Sequence, residues 1–152
     1  MAVTIRAAAD QDTEAIAALL VELNAFYGDD TVETSDEQVR QVHDALFNES
    51  SSASALLAFD TDTLVGMASY SVMWPAAGLS TSLYLKELYV ARSYQRQGIG
   101  ASLMKALRDE ALRQNCSRVE WTTDDDNPDA IEFYEALGMK PRPSKIFYRM
   151  EL

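Results

Sequence analysis

One cysteine and one histidine, Cys116 and His43, are all that this 152-residue chain holds of two of the most reactive side chains. A lone cysteine excludes an internal disulfide, and no histidine lies near it in sequence to make a nucleophilic pair or a zinc spacing. Both residues read as structural. Long apolar runs are missing too: none approaches the ~20 residues that cross a bilayer. The start Met1-Ala2-Val3-Thr4-Ile5-Arg6 also lacks the charged and then apolar stretch of a secretory leader. No membrane partner is expected, and the reading is a soluble, cytoplasmic protein. Positive charge is scarce, with 13 Lys and Arg against 24 Asp and Glu and a net charge of −11. Such a field repels nucleic acid and anionic lipid and draws cations such as protonated amines. An anionic ligand would need a local positive island.

What the chain does have is a core. Its residues are 47% apolar, with seven Tyr, five Phe and two Trp, enough for one globular domain over 1–152. Thr4 to Arg6 begins a strand, and Asp10 or Asp12 is placed to cap a helix with Ile16, Leu19, Leu20, Leu23, Phe26 and Tyr27 on one face. Gly28-Asp29-Asp30 ends it. Ser35 with Asp36, Glu37 and Gln38 opens a second helix to about Asn48, with Val39, Val42, Leu46 and Phe47 inward. Ala55 to Phe59 and Leu64 to Val72 read as a hairpin about Asp60-Thr61-Asp62, and Leu83 to Val90 as the next strand. A helix then runs to about Asn115 on an Ile99, Leu103, Leu107, Ala111 stripe. Val119 to Thr123 is a strand, Asp129 opens a short helix closed by Gly138, and Ile146 to Met150 is a last strand. The order β-α-α-β-β-β-α-β-α-β-β is α/β with a mixed, mostly antiparallel sheet.

The strand-to-helix turn Val90 to Met104 carries the most specific signal. Gly98 and Gly100 free the backbone to bring successive N–H groups together at the positive end of a helix, an anion cradle. Arg92, Arg96 and Lys105 supply the positive island. A Walker loop is excluded because Ala101-Ser102 follows Gly100, and a dinucleotide fingerprint because its third glycine falls on Leu103. Asp124-Asp125-Asp126 lacks the glycine and distal glutamate of a calcium loop and reads as a solvated turn, so no metal site is expected.

The pattern Gln95-x-x-Gly98-x-Gly100 resembles the Q/R-x-x-G-x-G/A signature of the GNAT superfamily of N-acetyltransferases. The segment from Asn127 to Met139, with Ala130, Phe133, Tyr134 and Gly138, is similar to that family's N-x-x-A-x-x-F/L-Y-x-x-x-G-F segment; Met139 replaces the final aromatic. The element order is also that of the GNAT fold. The resemblance implies a twisted sheet whose central parallel strands splay, and acetyl-CoA held by Leu88, Tyr89 and Val90 along the strand. It implies that Gln95, Arg96, Gln97, Gly98, Ile99, Gly100, Ala101 and Ser102 bind its pyrophosphate, and Asn127 its pantetheine. It further implies that Tyr134 protonates the leaving sulfur. Asn127 is equally readable as a helix cap, and Tyr134 as a core tyrosine.

Acyl transfer to an amine must manage an amine of pKa ~10 and a thiol of ~8.5. Glu87, a carboxylate inside an apolar strand, fits a base or an anchor for a cationic substrate, or a surface partner of Lys86 or Arg149. Tyr27, Trp74 and Trp121 are candidates for the acceptor pocket beside it. Leu83-Tyr84-Leu85-x-Glu87-Leu88-Tyr89-Val90, with Trp121 and the tail Phe147-Tyr148-Arg149-Met150, looks distantly like the spermidine/spermine and thialysine acetyltransferase branch, though Lys86 stands where that branch tends to carry an acid. The expectation is acetyl transfer to the primary amine of a small molecule by direct transfer in a ternary complex. Transfer to a protein N-terminus or lysine, and acyl-CoA sensing without turnover, are the alternatives. Many members of that family dimerise through late strands, which leaves a homodimer open.

Overall fold

The computed structural model describes residues 2–28 and 35–152. The chain falls into two compact units, Met1–Trp121 and Thr122–Leu152. The first is built on a sheet of five strands in the order β1-β2-β3-β4-β5: β1 Val3–Ala7, β2 Ser54–Asp60, β3 Thr63–Met73, β4 Ser82–Val90 and β5 Arg118–Glu120. Neighbours are antiparallel up to β4, and β4 and β5 are parallel. Three helices join the strands of this unit, α1 Thr13–Phe26, α2 Ser35–Phe47 and α3 Ile99–Arg113.

The period of each segment decides its burial. On α1 the stripe Ile16, Leu19, Leu23 is buried with Val42 of α2 against Leu57, Met67 and Tyr89 of the sheet. On α3 the expected stripe of Ile99, Leu103, Leu107 and Ala111 is buried throughout. Each fully buried leucine or isoleucine contributes about 1.5–3 kcal/mol of transfer free energy. Gly66 of β3 lets α3 approach: a Cβ there would lie 3.1 Å from Leu103 Cδ1 and 3.3 Å from Ile99 Cγ2. The far end of α3 closes on Asn115, left-handed at φ 59°, where Cys116 N–H donates to Ala111 O at 2.9 Å. Asparagine tolerates that conformation better than most residues.

Several expectations are corrected. Asp12 does not cap α1 with its side chain. Its carboxylate instead accepts from Arg6 at 2.7 and 2.8 Å and from Ala9 N–H at 2.8 Å, because the charged guanidinium is the stronger partner. Phe26 and Tyr27, expected inward, are each 55% exposed, since the helix ends there and the buried stripe ends with Leu23. The Asp29-Asp30 stop and the Ser35 side chain lie outside the described residues. β5 ends at Glu120 rather than Thr123.

The second unit consists of α4 Pro128–Ala136 and the segment that follows. Asn127 caps α4 by accepting Ala130 N–H at 3.2 Å, and Pro128 fills the first helical position, where no N–H is needed. Gly138, at φ 84°, closes α4: Met139 N–H donates to Tyr134 O at 3.0 Å and Gly138 N–H to Glu135 O at 2.9 Å. Ile146 to Met150 is not a strand, and Ile146, Phe147, Tyr148 and Met150 are exposed. Strand propensity specifies which face is apolar but supplies no pairing edge, so the described order ends at α4.

Candidate active site

The site is assembled where β4 leaves the sheet. β5 pairs with β4 only from Ser82 to Tyr84, so β4 runs on from Leu85 to Val90 with β3 on one edge and no β5 residue on the other. Ala91 N–H turns towards β3, donating to Val65 O at 2.8 Å. With a period of two, Tyr89 also faces β3, and the backbone groups of Leu88 and Val90 face the opposite edge. β4 therefore outlasts its parallel neighbour, and Leu88 and Val90 are residues whose backbone polar groups face the side on which β5 has ended.

Past Val90 a single 3-10 turn, Arg92–Tyr94, leads into the loop and α3. Gln95 Nε2 donates to Val90 O at 3.0 Å and folds the loop back on its own strand. Arg96 at φ 62° and Gly98 at φ 83° are both left-handed, a conformation that glycine adopts freely and arginine at some cost. Gly98 is the N-cap of α3, and the first helical bond runs from Ser102 N–H to Gly98 O at 3.0 Å. The N–H groups of Gly98, Ile99, Gly100 and Ala101 have no carbonyl one turn earlier in the helix to accept them. Nothing lies within 4 Å of the Cβ position at Gly98, so the cradle is open.

The charge pattern agrees with the backbone. Among the four described α-helices, α1, α2 and α4 each carry Asp or Glu in the first turn, and α3 carries none. In a chain of net charge −11 that leaves one helix end whose dipole is not answered internally. Arg92, Arg96 and Gln97 are exposed beside it. Lys105 is spent on Asp109, with Nζ 3.3 Å from Oδ2. An anion at such an end gains typically 0.3–1 kcal/mol from the dipole alone.

Two residues that motif reading missed hold this corner. Glu22 of α1 accepts the Tyr89 hydroxyl and the Arg92 N–H, the latter at 3.1 Å. Burial, then the Glu22 hydrogen bond and charge, push the Tyr89 hydroxyl up to about 12. Gly66, opposite Val90 in register, sets how closely α3 begins against the sheet. A glycine inside a strand pattern signals such an approach, whereas nothing local marks Glu22. Tyr94 is tied to the carboxylate of Asp60, and desolvation first and that carboxylate second raise its pKa.

Other candidates are more dispersed. Glu87 is half-buried on β4 opposite Ser69 and shares a sheet face with Tyr89. Tyr27 stands at the C-cap of α1 with its ring edge-on to Phe26 at 5.2 Å. Trp74, 66% exposed, follows β3 and donates its indole N–H to Leu79 O at 3.0 Å. Trp121, partly buried, directly follows β5. Tyr134 is partly buried on α4, its ring 5.0 Å from Phe133 in an edge contact. Cys116 is buried, and His43 Nε2 lies 3.3 Å from Asp10 Oδ1 on the surface.

A mixed sheet with one parallel pair, leading from β4 through a glycine loop into a helix whose first turn carries no acid, defines the α/β architecture of this chain. The chain belongs to the acetyltransferase (GNAT) family, whose model matches residues 16–139. It is 32% identical over 65 residues to the L-ornithine N5-acetyltransferase of Arabidopsis thaliana, covering 43% of this chain and 28% of that one. It is 37% identical over 57 residues to the thialysine N-epsilon-acetyltransferase of Bos taurus, covering 38% and 34%. The matched stretch thus spans about a third or less of these relatives' length. Among solved structures, an integron cassette protein from V. cholerae superposes with a TM-score of 0.91 at 32% identity, covering 99% of this chain and 93% of that one. An aminoglycoside N-acetyltransferase solved in complex with CoA shares the fold, with a TM-score of 0.78 at 17% identity over 99% and 96% of the two chains.

Proposed function

We propose that the protein transfers an acetyl group from acetyl-CoA to the primary amine of a small molecule, with both substrates bound together and residues 1–152 acting as one domain. The observation that carries this reading is the junction of β4 and α3: a strand that runs past the end of its β5 pairing at Tyr84 and leads into an acid-free helix N-terminus at Gly98. The loop fits a diphosphate because its donors are backbone N–H groups over open space and its near side chains include Arg92 and Arg96. When bound, acetyl-CoA supplies a thioester, an acyl group already activated towards amines.

The chain's own residues then divide the work. The N–H groups of the Gln95–Ser102 loop hold the phosphates, and Leu88 and Val90 bond the pantetheine arm as an added strand would. An N–H of this edge takes the negative charge that develops on the acyl oxygen. Glu87 accepts a proton from the cationic amine, directly or through water, or anchors it. Asn127 bonds the arm through the polarity its cap leaves over, and Tyr134 gives its proton to the departing sulfur. Tyr27, Trp74 and Trp121 shape the acceptor side. The naming of relatives for ornithine, thialysine and aminoglycosides supports an amine-bearing small molecule as acceptor.

The test is thiol release from acetyl-CoA across a panel of polyamines, basic amino acids, aminoglycosides and peptides. Turnover with small amines and none with peptides is expected. Turnover with peptides alone moves the acceptor to protein, and tight CoA binding with no release on any acceptor makes the protein a sensor.

A further inference from the structure

We infer that Glu22 is the positioning residue of the anion loop, its single oxygen Oε2 fastening the last turn of β4 to the first residue of the loop. The inference rests on the reading of that loop as the CoA site. Oε2 takes two donors, the hydroxyl of Tyr89 and the backbone N–H of Arg92. Those two residues bracket Val90, whose carbonyl faces the side on which β5 has ended and receives Gln95. Glu22 therefore holds both sides of the corner at which an extended strand becomes a helix-directed loop.

The other ties of this loop come from the sheet. Ala91 is bonded to Val65 of β3 and Gln95 to Val90 of β4, and the Asp60 carboxylate of β2 acts on the Tyr94 hydroxyl. Glu22 is the tie from the helical layer, half-buried on α1 between the buried Leu23 and the exposed Val21. Tyr89 itself is 7% exposed and packed with Ile16, Leu19 and Leu23, so its hydroxyl is delivered to Glu22 by the core. The pair is rigid on one side and reaches the loop backbone on the other.

Electrostatics alone would make a carboxylate here harmful, since it sits at the entrance to a site for an anion and lies in a chain already at −11. Its benefit is geometric. Binding to a preformed loop avoids the ordering cost that a free loop pays on meeting its ligand. The two explanations predict opposite results. Charge predicts that removing the carboxylate strengthens CoA binding, and position predicts that it weakens it.

The chemistry of the bond supplies the decisive variant. Both donors reach one oxygen, and glutamine keeps one carbonyl oxygen. Glu22→Ala should weaken CoA binding about tenfold by titration calorimetry and raise the KM for acetyl-CoA with the acceptor KM unchanged. Glu22→Gln should restore most of that loss. Tyr89→Phe, which removes one donor and leaves Arg92, should lose two- to threefold, and amide exchange at Arg92 should quicken in Glu22→Ala alone. Glu22→Ala binding CoA as tightly as the parent overturns the inference, as does Glu22→Gln being as weak as Glu22→Ala. A parent protein that binds no CoA overturns the donor reading itself, and the role of Glu22 falls with it.

Discussion

The two ends of α3 are opposites. Its C-terminal end is tied internally: Glu110 accepts from Arg113 Nε at 2.8 Å and Gln114 Nε2 at 2.7 Å, and Tyr70 of β3 reaches it at 3.5 Å. The chain then closes on Asn115 and Cys116. At its N-terminal end the first turn has neither a side-chain cap nor an acidic residue. One end is finished by the protein's own side chains, and the other is the end to which the proposed function assigns a ligand. A helix with many stabilising contacts at one terminus can leave the other bare and still stay folded, since strands β2, β3 and β4 hold its buried stripe.

The comparison can be broken experimentally. The largest effect is expected where neither end is touched: Tyr134→Phe should lower kcat by about 100-fold while CoA affinity stays within twofold, measured by steady-state kinetics and calorimetry. Equal turnover removes its proton from the mechanism. Gly98→Val comes next. Space is open there, so the penalty is the φ of 83°, which a β-branched residue resists by about 2 kcal/mol. CoA affinity should fall about 30-fold, and the same strain should lower the melting temperature by about 4–8 °C.

At the other end the pattern should invert. Arg113 first, against the opposing effect of burial, and Gln114 next hold Glu110 well below the usual carboxylate range, at about 2. A depressed folded pKa stabilises above the unfolded value of 4.5 and is lost as pH falls from there towards 2. Discounted for the exposed Arg113, this amounts to about 1–2 kcal/mol. Glu110→Gln should flatten acid unfolding in that window and leave CoA binding unchanged; an unaltered acid limb would reassign the cluster to the surface. The smallest effect is expected from Trp74→Ala, a two- to threefold rise in acceptor KM alone, because its ring is largely exposed.

The loop that opens α3 was more legible than the residues proposed for the acceptor side, for a physical reason. Phosphate loops are recognised by backbone, and backbone needs glycine at set positions, so Gly98 and Gly100 announce themselves in order along the chain. The buried stripe on α3 was legible by period in the same way. Glu22 was not, because its partners Tyr89 and Arg92 stand 67 and 70 residues away and only the packing of α1 on the sheet brings them together. The residues proposed for the acceptor side stand mostly at element ends, and Phe26 and Tyr27 show how a helical stripe misleads there: its last residues are exposed where they were expected inward. The segment Ile146 to Met150 has strand composition without a strand, since pairing is a property of two edges.

The acid-free turn of α3 has a kinetic consequence. Under the proposed function, coenzyme A would approach a protein of net charge −11 as an anion and be repelled at long range, whereas a cationic amine would be drawn in. Repulsion acts over the Debye length, about 10 Å at 0.1 M salt, and the attraction of one helix end acts only within it. Raising ionic strength should therefore speed the encounter with CoA and slow that with the amine, two opposite slopes in one stopped-flow series.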